Sequence, residues 1–288
     1  MKNSVVAIGG VPVSFQWDDD VSELNGIYRP FITSLSHYQA SWRARKGSIP
    51  FHVKLNYDEI SGLAYASHGR NKIIGHKLSG PGWEILYTSL IDPEIHRVDT
   101  WVEKKGGTGG GQPGIFFDLI VGCRLLLSFG GLVIHGLAVR WRDKAYLFPG
   151  PSGSGKSTLA RLFAAHPGME ILSGDKAILR KVEGEYRVYG APWNLPPEPV
   201  SPNGAPLGKI FFLDHAPENK IIPVTTAETF RKMLQYSFLP FREKEDFQTV
   251  ASIIEDVVSK ISARRFGFKP DKSAVDFWMK IEYGKVNT

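Results

Sequence analysis

The chain has 288 residues, 42% of them hydrophobic, enough to build one large or two modest cores, so a largely disordered chain is excluded. Its formal charge of +6 suits an anionic ligand such as ATP or an acidic partner, yet the excess is spread thinly and no basic tract argues for nucleic acid. A single cysteine, Cys123, rules out an intrachain disulfide and any multi-cysteine metal site, which fits a reducing, cytoplasmic setting.

Met1 to Gly10 carries one basic residue and an apolar run too short for a secretory core, and it reads as a strand. Residues 1–104 are rich in Trp, Tyr and short apolar runs broken by Gly, Pro and Asp, so this half is expected to be mostly β. Within it, Phe51-His-Val-Lys-Leu-Asn-Tyr57 alternates at the period of a half-buried strand. The Arg-rich piece Trp42-Arg-Ala-Arg-Lys46 is short and reads as a solvated face rather than a nucleic-acid site. Lys104 to Gly114 then holds six glycines in eleven residues. That flexible signal makes 105–114 a linker or mobile loop between a β-rich domain over 1–104 and a second domain over 115–288.

Ile115 to Val139 is membrane-like in hydropathy, but Asp118, Arg124, His135 and several glycines break it. It reads as a buried helix to about Phe129, holding Cys123 as an inert thiol, and then a strand over Leu132–Arg140. Lys144–Phe148 is a further strand, Lys156–Ala165 a helix stopped by Pro167-Gly168, and Glu170–Ser173 a short strand. Ala177–Val182 and Tyr186–Tyr189 pair about a Gly184 turn, Pro192–Pro206 is a proline-rich loop, and Lys209–Asp214 is a buried strand. Helical patterns over Ala227–Ser237 and Phe247–Ala263 close the domain. Strands alternating with helices predict an α/β fold.

Between the strand ending at Phe148 and the helix from Lys156 lies Gly150-Pro-Ser-Gly-Ser-Gly-Lys-Ser157-Thr158, a complete phosphate-binding loop. Each of its residue types has a physical task. Gly150, Gly153 and Gly155 let backbone N–H groups turn towards one anion, with Pro151, Ser152 and Ser154 completing the curve. Lys156 reaches the terminal phosphates and the Ser157 hydroxyl can ligate Mg²⁺, with Thr158 following in the first turn. Nucleotide binding, with ATP and Mg²⁺ as ligands, is the first hypothesis.

Phosphoryl transfer also needs an acceptor oxygen in line with the γ-phosphorus. Asp175, delivered by the strand ending at Ser173, lies where α/β sheets place ligands and is the candidate base and Mg²⁺ ligand. Asp214 ends an apolar strand as in a Walker B pattern, but His215-Ala-Pro217 supplies no catalytic Glu after it. His135, fifteen residues before Gly150, sits on the strand leading back towards the loop. Arg231, Arg264 and Arg265, in what reads as a helical C-terminal part, could clamp phosphate or simply face solvent. The eight histidines show no paired zinc spacing, and there is no nucleophile elbow.

Taken together, His135-Gly136, the loop Gly150–Ser157 and Ser173-Gly-Asp175 resemble the HPr kinase/phosphorylase group of P-loop serine kinases, itself similar in fold to phosphoenolpyruvate carboxykinase. The resemblance covers roughly residues 115–215 and implies His135, Lys156, Ser157 and Asp175 as the working set. Two departures stand out. Where the group has two adjacent acids this chain has Gly174-Asp175, so one carboxylate serves both roles or Asp214 or Glu198 supplies the second. The group's acid-Ile-Arg-Gly signature is missing. Overall size and Gly190-Ala-Pro-Trp193 resemble instead the HPr-kinase-like proteins of lasso-peptide biosynthesis. That likeness implies a kinase for a serine of a peptide precursor, working without nucleic acid or membrane and leaving a homo-oligomer open. The competing readings are a P-loop ATPase, of which the ABC kind lacks its signature word and order of motifs here, a nucleotide-gated sensor that transfers nothing, and a kinase acting on an HPr-like protein or a small hydroxyl substrate.

Overall fold

The computed structural model describes residues 2–17, 31–33, 39–46, 50, 54–55, 63–80, 82–94, 96–106, 113–194, 199–239 and 243–284. They form two compact units, Met1–Phe129 and Gly130–Thr288, each with its own sheet.

The first unit is built on strands β1 (Lys2–Ile8), β2 (Val11–Trp17), β3 (Ile32–Thr33), β4 (Ala40–Lys46), β5 (Leu63–His68), β6 (Asn71–Gly80), β7 (Trp83–Asp92) and β8 (Arg97–Gly106). Their order in the sheet is β3-β1-β2-β4-β8-β7-β6-β5. Gly9 and Gly10, both at positive φ, close the β1–β2 hairpin with the backbone that a tight two-residue turn requires. On β4 the buried Ala40, Trp42 and Ala44 alternate with half-buried neighbours, so only one face of the Trp42–Lys46 piece looks outward. Trp42 Nε1 donates to Thr100 Oγ1 at 2.9 Å, which satisfies the indole where it is buried with Val13, Phe15 and Val98.

Helix α1 (Pro113–Leu127) starts on a proline, which fits a first helical position because its missing N–H has no intrahelical partner. It belongs to the first unit, whereas the glycine-rich signal puts the boundary before it. Just beyond α1, Ser128 Oγ lies 3.1 Å from His96 Nδ1, and the Phe129 and His96 rings are 4.2 Å apart. The membrane-like run thus divides between α1 and a strand of the second unit, and among the described residues no helix is long and apolar enough to cross a membrane. Cys123 is buried in α1, and burial pushes its thiol well above the ordinary range, so it is inert. The strand expected over Phe51–Tyr57 lies mostly outside the described residues, and Lys54 and Leu55 are in no strand.

The second unit contains β9 (Gly131–Trp141), β10 (Lys144–Pro149), α2 (Lys156–Ala164), β11 (Met169–Ser173), β12 (Lys176–Val182), β13 (Glu185–Gly190), β14 (Gly204–His215), β15 (Lys220–Pro223), α3 (Thr226–Tyr236), α4 (Lys244–Lys260), β16 (Ala263–Phe268) and α5 (Ser273–Tyr283). Two long strands each serve two sets of neighbours. The first half of β9 pairs with β12 and its second half with β10 and β11; the start of β14 pairs with β13, and its later residues with β10 and β16. Since β10, β14 and β16 run parallel, and β11 is antiparallel to the same β9 that β10 opposes, the C-terminal ends of all four lie along one edge. That edge is where a sheet of this kind holds a ligand.

Alternation along β14 fixes what covers each face. Phe211 and Leu213 join Phe148, Leu159, Phe163 and Trp278 in the core beneath α2 and α5. Phe212 turns to the other face, where its ring meets Tyr236 of α3. Helix α4 presents Val250, Ile254 and Val257 as a buried stripe at helical spacing.

Two expectations are corrected here. The C-terminal helical pattern ends at Lys260, and Ala263–Phe268, with Arg264 and Arg265, is a strand because β14 offers it a parallel edge. The structure adds strand β15, four residues long, and helix α5, which owes its apolar face to Trp278 and Met279 packing under the sheet.

Candidate active site

The phosphate loop leaves β10 at Pro149 and enters α2 at Lys156, as its sequence predicts. Gly153 and Gly155 sit at φ +80° and +91°, the left-handed region that side chains resist. A Cβ on Gly155 would lie 2.5 Å from Phe268 Cζ, and one on Gly150 would lie 2.5 Å from Ser154 Oγ. Gly153 is therefore favoured by backbone angle, Gly150 by space and Gly155 by both. Lys156 is buried, and its Nζ donates to the carbonyls of Gly150 and Pro151, both at 2.9 Å, so the ammonium lies in the mouth of its own loop. Ser154 Oγ is buried without a hydrogen-bond partner inside the curve, while Pro151, Ser152, Gly153 and Ser157 are exposed and Thr158 half-buried.

His135 and Asp175, forty residues apart in sequence, meet beside the loop. His135 Nε2 is 2.9 Å from Asp175 Oδ1, and Lys176 Nζ is 2.6 Å from Asp175 Oδ2. The hydrogen bond from His135 holds the Asp175 carboxyl well below the usual carboxylate range; burial opposes this and Lys176 reinforces it. Asp175 is thus an anion with both oxygens engaged. Backbone bonds join this pair to the loop: Gly136 N–H donates to Asp175 O at 2.8 Å, and Gly150 N–H donates to His135 O at 3.3 Å. A Cβ on Gly136 would sit 3.1 Å from Phe148 O and Pro149 Cα, so the His-Gly pair is read in the sequence where two backbones crowd together. Phe238, just past α3, donates its N–H to Val133 O and sets its ring edge-on to His135 at 6.1 Å.

The turn that carries Asp175 is braced from the segment between β13 and β14. Asn194 Oδ1 accepts from Lys176 N–H at 2.8 Å, and its Nδ2 donates to Lys176 O and Ala191 O. Gly174 N–H donates to Pro199 O, and Ser201 N–H to Leu172 O. Gly190 must be glycine, because a Cβ there would lie 2.1 Å from Ser201 O. On the opposite side of the loop, His215 Nε2 donates to Gly153 O at 2.6 Å. Lys176 and His215 adjoin residues the sequence had flagged, but only the strand order shows that they face this edge. Asn194 has no local signal.

The remaining candidates go elsewhere. Asp214 ends β14 on the α3 face, where its Oδ2 is 3.3 Å from Arg265 Nε, and Arg265 also bonds Glu228 of α3. Asp214 and Arg265 are therefore tied into an ion-pair chain that joins β14, β16 and α3, distinct from the His135–Asp175 pair. Arg231 on α3 and Arg264 on β16 are exposed. Glu198 lies outside the described residues. Among the described residues no three His, Cys, Asp or Glu side chains are grouped to hold a metal by themselves.

Chemically the edge offers a loop of amides and one lysine for an anion, and beside it a fixed carboxylate flanked by a histidine and a lysine. No protein-family model matches the chain, and no curated protein matches it either.

Proposed function

We propose that this protein is an ATP- and Mg²⁺-dependent kinase that transfers the γ-phosphoryl group to a serine hydroxyl of a peptide, on a P-loop kinase fold of the HPr kinase and phosphoenolpyruvate carboxykinase type. The observation that carries the reading is the His135–Asp175 pair held against the phosphate loop through Gly136 and Gly150. Holding phosphate needs only the loop, whereas an oriented carboxylate beside it is what a hydroxyl acceptor requires.

The residues fit a triphosphate. The left-handed Gly153 and Gly155, the unpartnered buried Ser154 hydroxyl and the buried Lys156 ammonium form a cradle of donors at the start of α2. Mg²⁺ would be held by Ser157 and Asp175 together with phosphate oxygens, the sparse protein ligation usual for this ion, and bound there it would offset phosphate charge. Lys156 and the loop amides bind and orient the triphosphate and stabilise charge on the transferring group. Asp175 accepts a hydrogen bond from the serine hydroxyl and aims it at the γ-phosphorus. A carboxylate this acidic is a weak base at rest, so the proton reaches Asp175 late, as the oxygen–phosphorus bond forms. His135 fixes the carboxylate's direction.

A lasso-peptide precursor is the acceptor we favour, on the resemblance around Gly190-Ala-Pro-Trp193 and the chain's size, with the β-rich first unit as candidate peptide-binding surface and the cytoplasm as its setting. The second reading is a P-loop ATPase or a nucleotide-gated sensor. The observation for it is Gly174, which leaves one acid where two would divide the work. The deciding experiment incubates the protein and its Asp175→Asn variant with γ-labelled ATP, Mg²⁺ and a size-fractionated host extract. Label on a peptide serine, lost in the variant, supports the kinase; free phosphate alone from both proteins moves the assignment to the second reading.

A further inference from the structure

On the kinase reading given above, we propose that Asn194 is the positioning residue of the site, fixing Asp175 by clamping the peptide groups of Lys176. The turn between β11 and β12 is only Gly174-Asp175, and a glycine beside the working carboxylate gives that backbone freedom it would otherwise lack. The clamp removes it. Asn194 Oδ1 accepts the Lys176 N–H at 2.8 Å and Nδ2 donates to Lys176 O at 3.2 Å, so the amide acts on Lys176 as a neighbouring strand would. The second Nδ2 hydrogen goes to Ala191 O at 2.7 Å, and Ser173 Oγ, which donates its single hydrogen to Lys176 O at 2.5 Å, lies 3.3 Å from the same Oδ1.

Each hydrogen-bonding group of the Asn194 amide is thereby used, and the residue is 6% exposed. Its own place is fixed by Trp193, which is fully buried. On the other side Gly136 N–H donates to Asp175 O, so the Asp175 main chain is held from both directions. Two torsions then separate this fixed backbone from the carboxylate that meets His135. No other side chain of this length supplies this pattern. Aspartate would keep volume and the acceptor for Lys176 N–H but set a carboxylate oxygen against the carbonyls of Lys176 and Ala191. Alanine would leave all three backbone groups without it.

The test compares wild type with Asn194→Asp and Ser173→Ala, measuring kcat, nucleotide affinity and the crystal structure of each. The expected result for Asn194→Asp is a fall in kcat of about a hundredfold, the size of effect that a 1 Å misplacement gives, with nucleotide affinity within about threefold of wild type. Ser173→Ala keeps the Asn194 bonds to Lys176 and Ala191 and is expected to fall between the two, which keeps the test usable if Asn194→Asp does not fold. Wild-type kcat in folded Asn194→Asp, or a loss of nucleotide affinity as large as the loss of kcat, would overturn the assignment. If wild type itself transfers no phosphate, the kinase reading fails and the crystal structures alone decide the clamp. Asp175 swung away from His135 in the variant would support it, and a His135–Asp175 contact kept at 2.9 Å would overturn it.

Discussion

His135 Nε2 lies 2.9 Å from Asp175 Oδ1, while the carbonyl of the same histidine accepts the N–H of Gly150, the first residue of the phosphate loop. One strand position therefore touches both halves of the site. On the kinase reading, the donor phosphates and the acceptor hydroxyl would be set relative to each other by backbone hydrogen bonds rather than by flexible side chains, and such pre-set geometry is what phosphoryl transfer demands.

Replacing Asp175 by Asn keeps shape but removes the charge that, on the proposed reading, orients the acceptor hydroxyl and receives its proton. Transfer is expected to fall by about 10²- to 10⁴-fold with nucleotide affinity nearly unchanged, measured by label transfer beside nucleotide titration. Lys156→Ala is expected to lose both. Normal turnover by Asp175→Asn would remove this residue from the mechanism.

The lowered pKa of Asp175 also links stability to pH. A folded carboxyl that titrates below its ordinary 3.8 contributes stability above that pH and loses it as the pH falls through the folded value. Wild type is expected to melt above Asp175→Asn at pH 6, and the gap should narrow as the pH drops below about 4. A gap that stays constant across this range would show that the carboxylate is not held as an anion by His135 and Lys176.

Gly155 and Gly184 share a positive φ but differ in surroundings: a Cβ on Gly155 meets Phe268 at 2.5 Å, and one on Gly184 meets nothing within 4 Å. Gly184→Ala should cost about 1 kcal/mol for the backbone alone and leave nucleotide binding intact. Gly155→Ala should cost about 1–3 kcal/mol and abolish nucleotide binding. Thermal melts and nucleotide titration of the pair check this.

His215 holds the Gly153 carbonyl, one hydrogen bond of about 1 kcal/mol net. His215→Ala is expected to weaken nucleotide affinity about fivefold through a looser loop, with kcat at saturation little changed. A kcat loss with unchanged affinity would give His215 a different role.

Trp278 is fully buried, with Phe163 and Tyr146 edge-on to it at 5.2 and 4.8 Å. Trp278→Ala should destabilise the second unit by about 3–5 kcal/mol, read by denaturant unfolding. Because Phe163 lies on α2, the phosphate loop's helix should loosen with it.

The sequence by itself determined whatever is written in consecutive residues. The phosphate loop is legible because its glycines, lysine and serine lie within one turn, and β9 to β13 follow from apolar runs punctuated by Gly and Pro, whereas the start of β14, Gly204 to Pro206, reads as loop until β13 pairs with it. Asp175 could be singled out because it follows a strand end. Only the tertiary structure decided which edges meet. Arg264 and Arg265 read as helical until β14, some fifty residues earlier, supplies them with a parallel partner, and Asp214 resembles a metal ligand until Arg265 and Glu228 claim it. Asn194 reaches Lys176 across eighteen residues and His215 reaches Gly153 across sixty-two. Hydrogen bonds of that span leave no periodicity or local propensity in the chain, because their geometry exists only once the sheet has set its strand order.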